Sequence, residues 1–170
     1  MVIKEAPVAQ NRFFIDFVSR TETMFTEFEN DYIFEGFGNY HNLNELLQAL
    51  GSGKKNIIYC NSIDDTINFA LDFSKCVQYK KDTRIDDVIK LIQQYLHKDY
   101  YLIDCLKKGV AFHFGKLPQR IRECIEELFE EKVIDYIFCT STLLEGVNLP
   151  AQNIFILNCI IRFDADGIPA

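Results

Sequence analysis

The chain has 170 residues, 48% of them apolar and 14% aromatic, which suits one globular domain with a substantial core and leaves no room for two full-sized ones. Its formal net charge of −7, with a pI near 5.0, excludes a domain that grips nucleic acid through bulk electrostatics, because neutralising phosphates takes clustered Lys and Arg. A local site built from hydroxyls or backbone amides remains compatible with that charge.

In chain order, Phe13 to Val18 is a short β-branched and aromatic run that reads as a strand. Thr21 to Tyr40 is aromatic and acidic without clean periodicity, and no element is assigned to it. The stretch GSGKK, Gly51 to Lys55, looks like a phosphate-binding loop but fails its chemistry. Such a loop needs G-x-x-x-x-G-K-[ST] after a strand; with Gly53 and Lys54 as its end, the first glycine falls at Gln48 and the hydroxyl at Lys55. A solvated turn is expected there. Ile57 to Cys60 is the next strand, and Ser62 follows as an N-cap, with Asp65 approximating a capping box and Ile67, Ala70 and Leu71 as the inner helix face. Ile85, Val88, Ile89, Ile92 and Leu96 recur at helical spacing and give a second helix. After a strand at Val110 to His113, Pro118 opens a third helix that turns Ile121, Cys124, Ile125, Leu128 and Phe129 inward. Its acids, Glu123, Glu126, Glu127 and Glu130, are expected on the outer face. Strands at Tyr136 to Cys139 and Ile154 to Leu157 complete the series. Near-continuous apolarity fits strands covered on both faces, and strand alternating with helix gives a largely parallel α/β sheet.

No apolar run approaches the roughly 20 residues that span a bilayer, and the opening MVIKEAPVAQ lacks the order of a secretory signal. A cytoplasmic chain without a membrane partner is expected. Cys60, Cys76, Cys105, Cys124, Cys139 and Cys159 have no Cys-x-x-Cys spacing and lie mostly within apolar runs, so they read as small hydrophobes. His41, His97 and His113 are too scattered for a zinc site.

The stretch CTSTLLEGVNLPA, Cys139 to Ala151, is the most particular in the chain. In parallel α/β sheets ligands gather at the carboxyl ends of strands, where Thr140, Ser141 and Thr142 would emerge. A short helical turn starting there presents hydroxyls and unpaired amides to an anion, with Leu143 and Leu144 anchoring it and Gly146 allowing close backbone approach. On the residues alone, a plain crossover and a phosphate-facing loop both remain open.

Gly109 to Ala151 closely resembles the second RecA-like domain of superfamily 2 helicases, particularly their Ski-like branch. Thr140, Thr142, Leu143, Gly146, Val147, Asn148, Leu149, Pro150 and Ala151 match that branch's motif V, TxTLxxGVNLPA. Asn56 to Ala70 resembles motif IV, and Gln119 with Arg122 falls on a Q-x-x-R pattern of the segment that follows. The resemblance runs from Asn56 onward. It departs from the pattern at Phe114, where these proteins often have a second His, and at Ile63, where Arg is common.

The resemblance implies a parallel-sheet RecA-like domain of the P-loop NTPase type with helices on both faces. One domain over residues 1–170 is expected, comprising an N-terminal strand and poorly placed insertion over 1–55 and a motif-bearing core over 56–158. By the same resemblance Thr140 and Thr142 contact nucleic-acid phosphates, Ser62, His113, Lys116 and Arg122 are candidates for the strand-facing surface, and Glu145, Gly146 and Asn148 face the nucleotide. Family members bind ATP and Mg²⁺ between two RecA-like domains. Neither Walker motif nor the arginine-bearing motif VI occurs here, so a fragment of a larger helicase is expected, inactive alone and binding no cofactor by itself. Its expected partners are nucleic acid, DNA or RNA, and the first RecA-like domain. Two other classes stay open: an inert RecA-like interaction module using the aromatic Thr21 to Tyr40 region, and an unrelated α/β enzyme binding a phosphorylated metabolite through the Thr140 loop.

Overall fold

The computed structural model describes residues 12–25, 32–34, 38–146 and 149–157. The chain separates into two compact units that divide between Leu50 and Gly51.

In the first unit, β1 (Arg12–Asp16), β2 (Thr21–Phe25) and β3 (Tyr32–Phe34) form an antiparallel sheet in chain order. The β1–β2 turn is held by Asp16, whose carboxylate accepts from the Val18 amide at 2.8 Å and the Ser19 hydroxyl at 2.7 Å. Those bonds hold its pKa below the usual carboxylate value. Helix α1 (Leu43–Gly51) follows. Its start is fixed by Asn42, which accepts from the Glu45 amide at 3.0 Å, while Glu45 accepts from the His41 amide at 2.7 Å. The strand expected over Phe13 to Val18 therefore exists as Arg12–Asp16, with Phe17 and Val18 in the turn, but outside the parallel sheet. Its aromatics are not sandwiched between layers: Phe13 and Phe14 are 53% and 46% exposed.

The second unit alternates strand and helix: β4 (Asn56–Tyr59), α2 (Ile63–Cys76), α3 (Thr83–Tyr95), α4 (Leu102–Leu106), β5 (Val110–His113), α5 (Gln119–Glu130), β6 (Tyr136–Cys139), α6 (Ser141–Gly146) and β7 (Asn153–Ile156). The strands make a parallel sheet in the order β5-β6-β4-β7, flanked by helices as in a RecA-like domain. Every residue of β5 and β6 is buried, in keeping with their continuous apolar runs. Phe73 of α2 lies fully buried against Tyr136 and Phe138 of β6, at ring distances of 4.6 and 5.8 Å. Burying such a side chain contributes about 1.5–3 kcal/mol. Strand β7 departs from expectation. It lies at the sheet edge, and Ile154 and Ile156 are 60% and 59% exposed, so only one of its faces is covered.

Asn56 sets the register at the amino edge of this sheet. Its buried Nδ2 donates to the carbonyls of Gly51, Lys54 and Asp135 at 2.9, 2.8 and 3.2 Å, and its Oδ1 accepts from Asn153 Nδ2 at 2.8 Å. One side chain thus ties β4 to β7, to the approach of β6 and to the Gly51–Lys55 turn. That turn is solvated at Ser52, Gly53 and Lys54, with Gly53 at φ +73, and it runs into β4. Cys60, Cys105, Cys124 and Cys139 are buried free thiols. Burial pushes Cys60 up to about 11, and Cys105 and Cys139 up to about 12. Among the described residues no helix is long and apolar enough to cross a membrane.

Candidate functional site at the carboxyl edge of the sheet

Parallel pairing brings the carboxyl ends of three strands level, with Tyr59 opposite Cys139 and Cys139 opposite His113. Backbone bonds continue past the strands: Thr140 N donates to His113 O at 3.3 Å and Cys60 N to Cys139 O at 2.8 Å. The loops after β4, β5 and β6 therefore leave along one edge. They carry Ser62, Lys116, and Thr140 with Thr142.

Each of these positions has a distinct local state. Ser62 is exposed and caps α2; its hydroxyl accepts from the Asp65 amide at 3.0 Å and donates to Asp65 Oδ2 at 2.8 Å. Its one proton is therefore already engaged, and contact with a phosphate oxygen requires that bond to open. Lys116 is exposed in the turn after β5, which is anchored by the buried Leu117. Thr140 is half-buried and Thr142 exposed, with their hydroxyls 3.4 Å apart. Helix α6 begins between them, and Leu143 anchors it at 1% exposure. The β5 turn passes close to this loop at Gly115, where an added Cβ would lie 3.3 Å from Thr142 Oγ1. Only a small residue fits there without displacing Thr142.

His113 occupies a different environment from the other candidates. Its side chain is 1% exposed, and Nε2 lies 2.8 Å from Glu126 Oε1 on α5. Burial, the larger effect, holds its pKa below the ordinary 6.5, assisted by the Arg122 charge and opposed by Glu126. Glu126 departs from the outer face expected of it: its side chain is only 21% exposed because it turns in to His113. Sequence spacing put Glu126 among the solvated acids, and only its position four residues after Arg122 marked it out. Arg122 itself is half-buried, and its Nε is enclosed without a partner among the described residues. Glu145 and Gly146 close α6, and Asn148 lies outside the described residues.

Hydroxyls, backbone amides and isolated cations along one edge suit a sugar-phosphate backbone, which they position without a large positive field. No protein-family model matches the chain. It is 31% identical over 118 residues to the ATP-dependent DNA helicase Hel308 of Methanococcus vannielii, covering 66% of this chain and 16% of that protein. It is 30% identical over 119 residues to the helicase POLQ-like of Caenorhabditis elegans, covering 66% and 13%. It is 29% identical over 119 residues to the exosome RNA helicase MTR4 of Mus musculus, covering 60% and 11%. The chain spans less than a fifth of the length of these relatives. Over about two thirds of its length, then, the chain is homologous to helicases of the Ski-like branch, in keeping with a helicase domain fragment of RecA-like fold.

Proposed function

We propose that the chain acts as the second RecA-like domain of an ATP-dependent nucleic-acid helicase, holding the strand at the carboxyl edge of its sheet. In this reading Thr140 and Thr142 donate to phosphate oxygens, Lys116 and Arg122 add charge beside them, and Ser62 closes the edge at β4. Glu145, Gly146 and Asn148 face the nucleotide cleft shared with a first RecA-like domain. The supporting observation is the level register of β4, β6 and β5, which delivers these loops to one edge in a helicase homologue. Relatives are named for both DNA and RNA, so both strands belong in the test.

The residues present do not form a complete site for ATP and Mg²⁺. The Gly51–Lys55 turn runs into a strand where a phosphate loop leaves one, and no group of three or more His, Cys, Asp or Glu is clustered for a metal among the described residues. No ATP-dependent step is therefore assigned to this chain alone.

The test titrates single-stranded DNA and RNA oligonucleotides into ¹⁵N-labelled chain at low ionic strength, where phosphate contacts are strongest. Amides of residues 140–143 and 115–117 are expected to shift together. Thr140→Ala should weaken binding about tenfold to a hundredfold, the equivalent of roughly 1.5–3 kcal/mol for one charge-assisted bond. With the chain joined to a first RecA-like domain, Asn148→Ala should impair ATP hydrolysis more than strand binding. Shifts confined to other surfaces, or an unchanged affinity in folded Thr140→Ala, would reduce the loop to a crossover.

A further inference from the structure

The turn after β5 is fixed at both ends. Phe114 and Leu117 are buried, Phe114 stacks on the Phe112 ring at 5.8 Å, and the Leu117 amide donates to the Phe114 carbonyl at 3.1 Å. Gly115 and Lys116 are therefore the two central residues of a tight turn, and both are exposed. Left-handed backbone does not explain the glycine, because among the described glycines only Gly53 and Gly109 have positive φ. What Gly115 supplies is room. A Cβ there would lie 3.3 Å from Thr142 Oγ1 and 3.4 Å from Thr142 Cγ2, so both branches of Thr142 come up against the turn. The same Oγ1 lies 3.4 Å from the Thr140 hydroxyl.

We propose that Gly115 is a positioning residue for strand binding: its missing side chain lets the turn that carries Lys116 close on Thr142, which holds the Thr142 hydroxyl beside that of Thr140. This rests on the strand-binding role proposed above for the carboxyl edge. Threonine is stiff at χ1, with two heavy atoms on Cβ. A methyl group at position 115 therefore leaves it two ways out. Thr142 rotates to another well and carries its hydroxyl away from Thr140, or the turn backs off and takes Lys116 with it. In either case one phosphate no longer meets the groups of both loops, and a charge-assisted hydrogen bond weakens steeply when its donor is displaced. Serine at position 142 keeps the hydroxyl without the γ-methyl, so it can yield to a Cβ and still present a donor.

The experiment reads stability, side-chain geometry and affinity separately. Gly115→Ala, at an exposed turn position, should leave the urea midpoint unchanged or slightly raised. It should nevertheless change the Thr142 χ1 scalar couplings in the free chain and weaken binding of a single-stranded DNA oligonucleotide about three- to tenfold. In a Thr142→Ser background the same Gly115→Ala change should cost less than about twofold. Wild-type affinity in folded Gly115→Ala, unmoved Thr142 couplings, or an equal loss in both backgrounds overturns the proposal. A urea midpoint that falls in step with the affinity gives the glycine to the turn's stability and overturns it as well. If Thr142→Ala binds less well while Gly115→Ala does not, the positioning alone fails. If Thr140→Ala and Thr142→Ala both bind as wild type, the strand-binding reading of the edge fails and the positioning falls with it.

Discussion

Asn56 and His113 are both buried polar residues, and they make opposite demands on the fold. Asn56 has no ionisable group; the Gly51 and Asp135 carbonyls also accept from the Lys54 and Asn56 backbone amides, so replacing its side chain leaves chiefly the Lys54 carbonyl without its donor. Asn56→Leu should cost about 1–3 kcal/mol in urea unfolding. His113 instead makes the carboxyl edge sensitive to acid. Its folded pKa lies below the ordinary 6.5, so the unfolded chain takes up the proton first as pH falls. The stability it contributes is complete above about 6.5 and is lost below that, down through the folded pKa. A His113→Asn variant should therefore show a flatter decline in stability between pH 7 and 5, whereas Glu126→Gln should steepen it.

At the level of elements, Ser62 offers a clean separation of roles. Because Ser62 caps α2, Ser62→Ala should cost about 1 kcal/mol of stability; any loss of strand affinity at full folding measures its separate contribution to the edge, and an unchanged affinity leaves it a cap alone. The cap was legible in the sequence because Ser62 and Asp65 act over three residues, and the inner face of α3 was legible because Ile85, Val88 and Ile92 repeat at its period. β5 and β6 were legible for a related reason, as interior strands buried on both faces read as unbroken apolar runs. The same signal misplaces a strand when its neighbours are unknown. Of the apolar run Phe13 to Val18, Phe13 to Asp16 pair with β2 in a separate antiparallel sheet, and Ile154 to Ile156 became an open edge. Helix α1 went unassigned although Asn42 and Glu45 already spelled its capping box. Of the candidate site, the Thr140 loop and Lys116 could be placed from the sequence. The Glu126 to His113 bond could not, because it joins a helix to a strand across the packing, where a helix-face argument sees only an acid pointing outward.

For the whole molecule, the incomplete phosphate site leads to a direct expectation. Purified chain should release no phosphate from ATP above blank, with or without nucleic acid; turnover that disappears in Thr140→Ala would contradict it. The acidic balance of −7 is compatible with strand binding only where contacts are few and local. Glu126 sharpens that point, since one of the acids counted against nucleic acid is turned inward against a histidine.

The level ends of β5, β6 and β4 also fix a length. Adjacent strands lie about 4.8 Å apart, so three neighbouring strand ends span roughly 10 Å, or on the order of three phosphates for a strand that keeps the rise of about 3.4 Å it has in a duplex. An oligonucleotide lying along this edge displaces only the counterions of those few groups. Its log affinity should then fall against log salt with a slope of about −2, taking roughly 0.7 ion per phosphate on a single strand. A slope steeper than about −5 would need a footprint more than twice as long, and these three loops have no room for it.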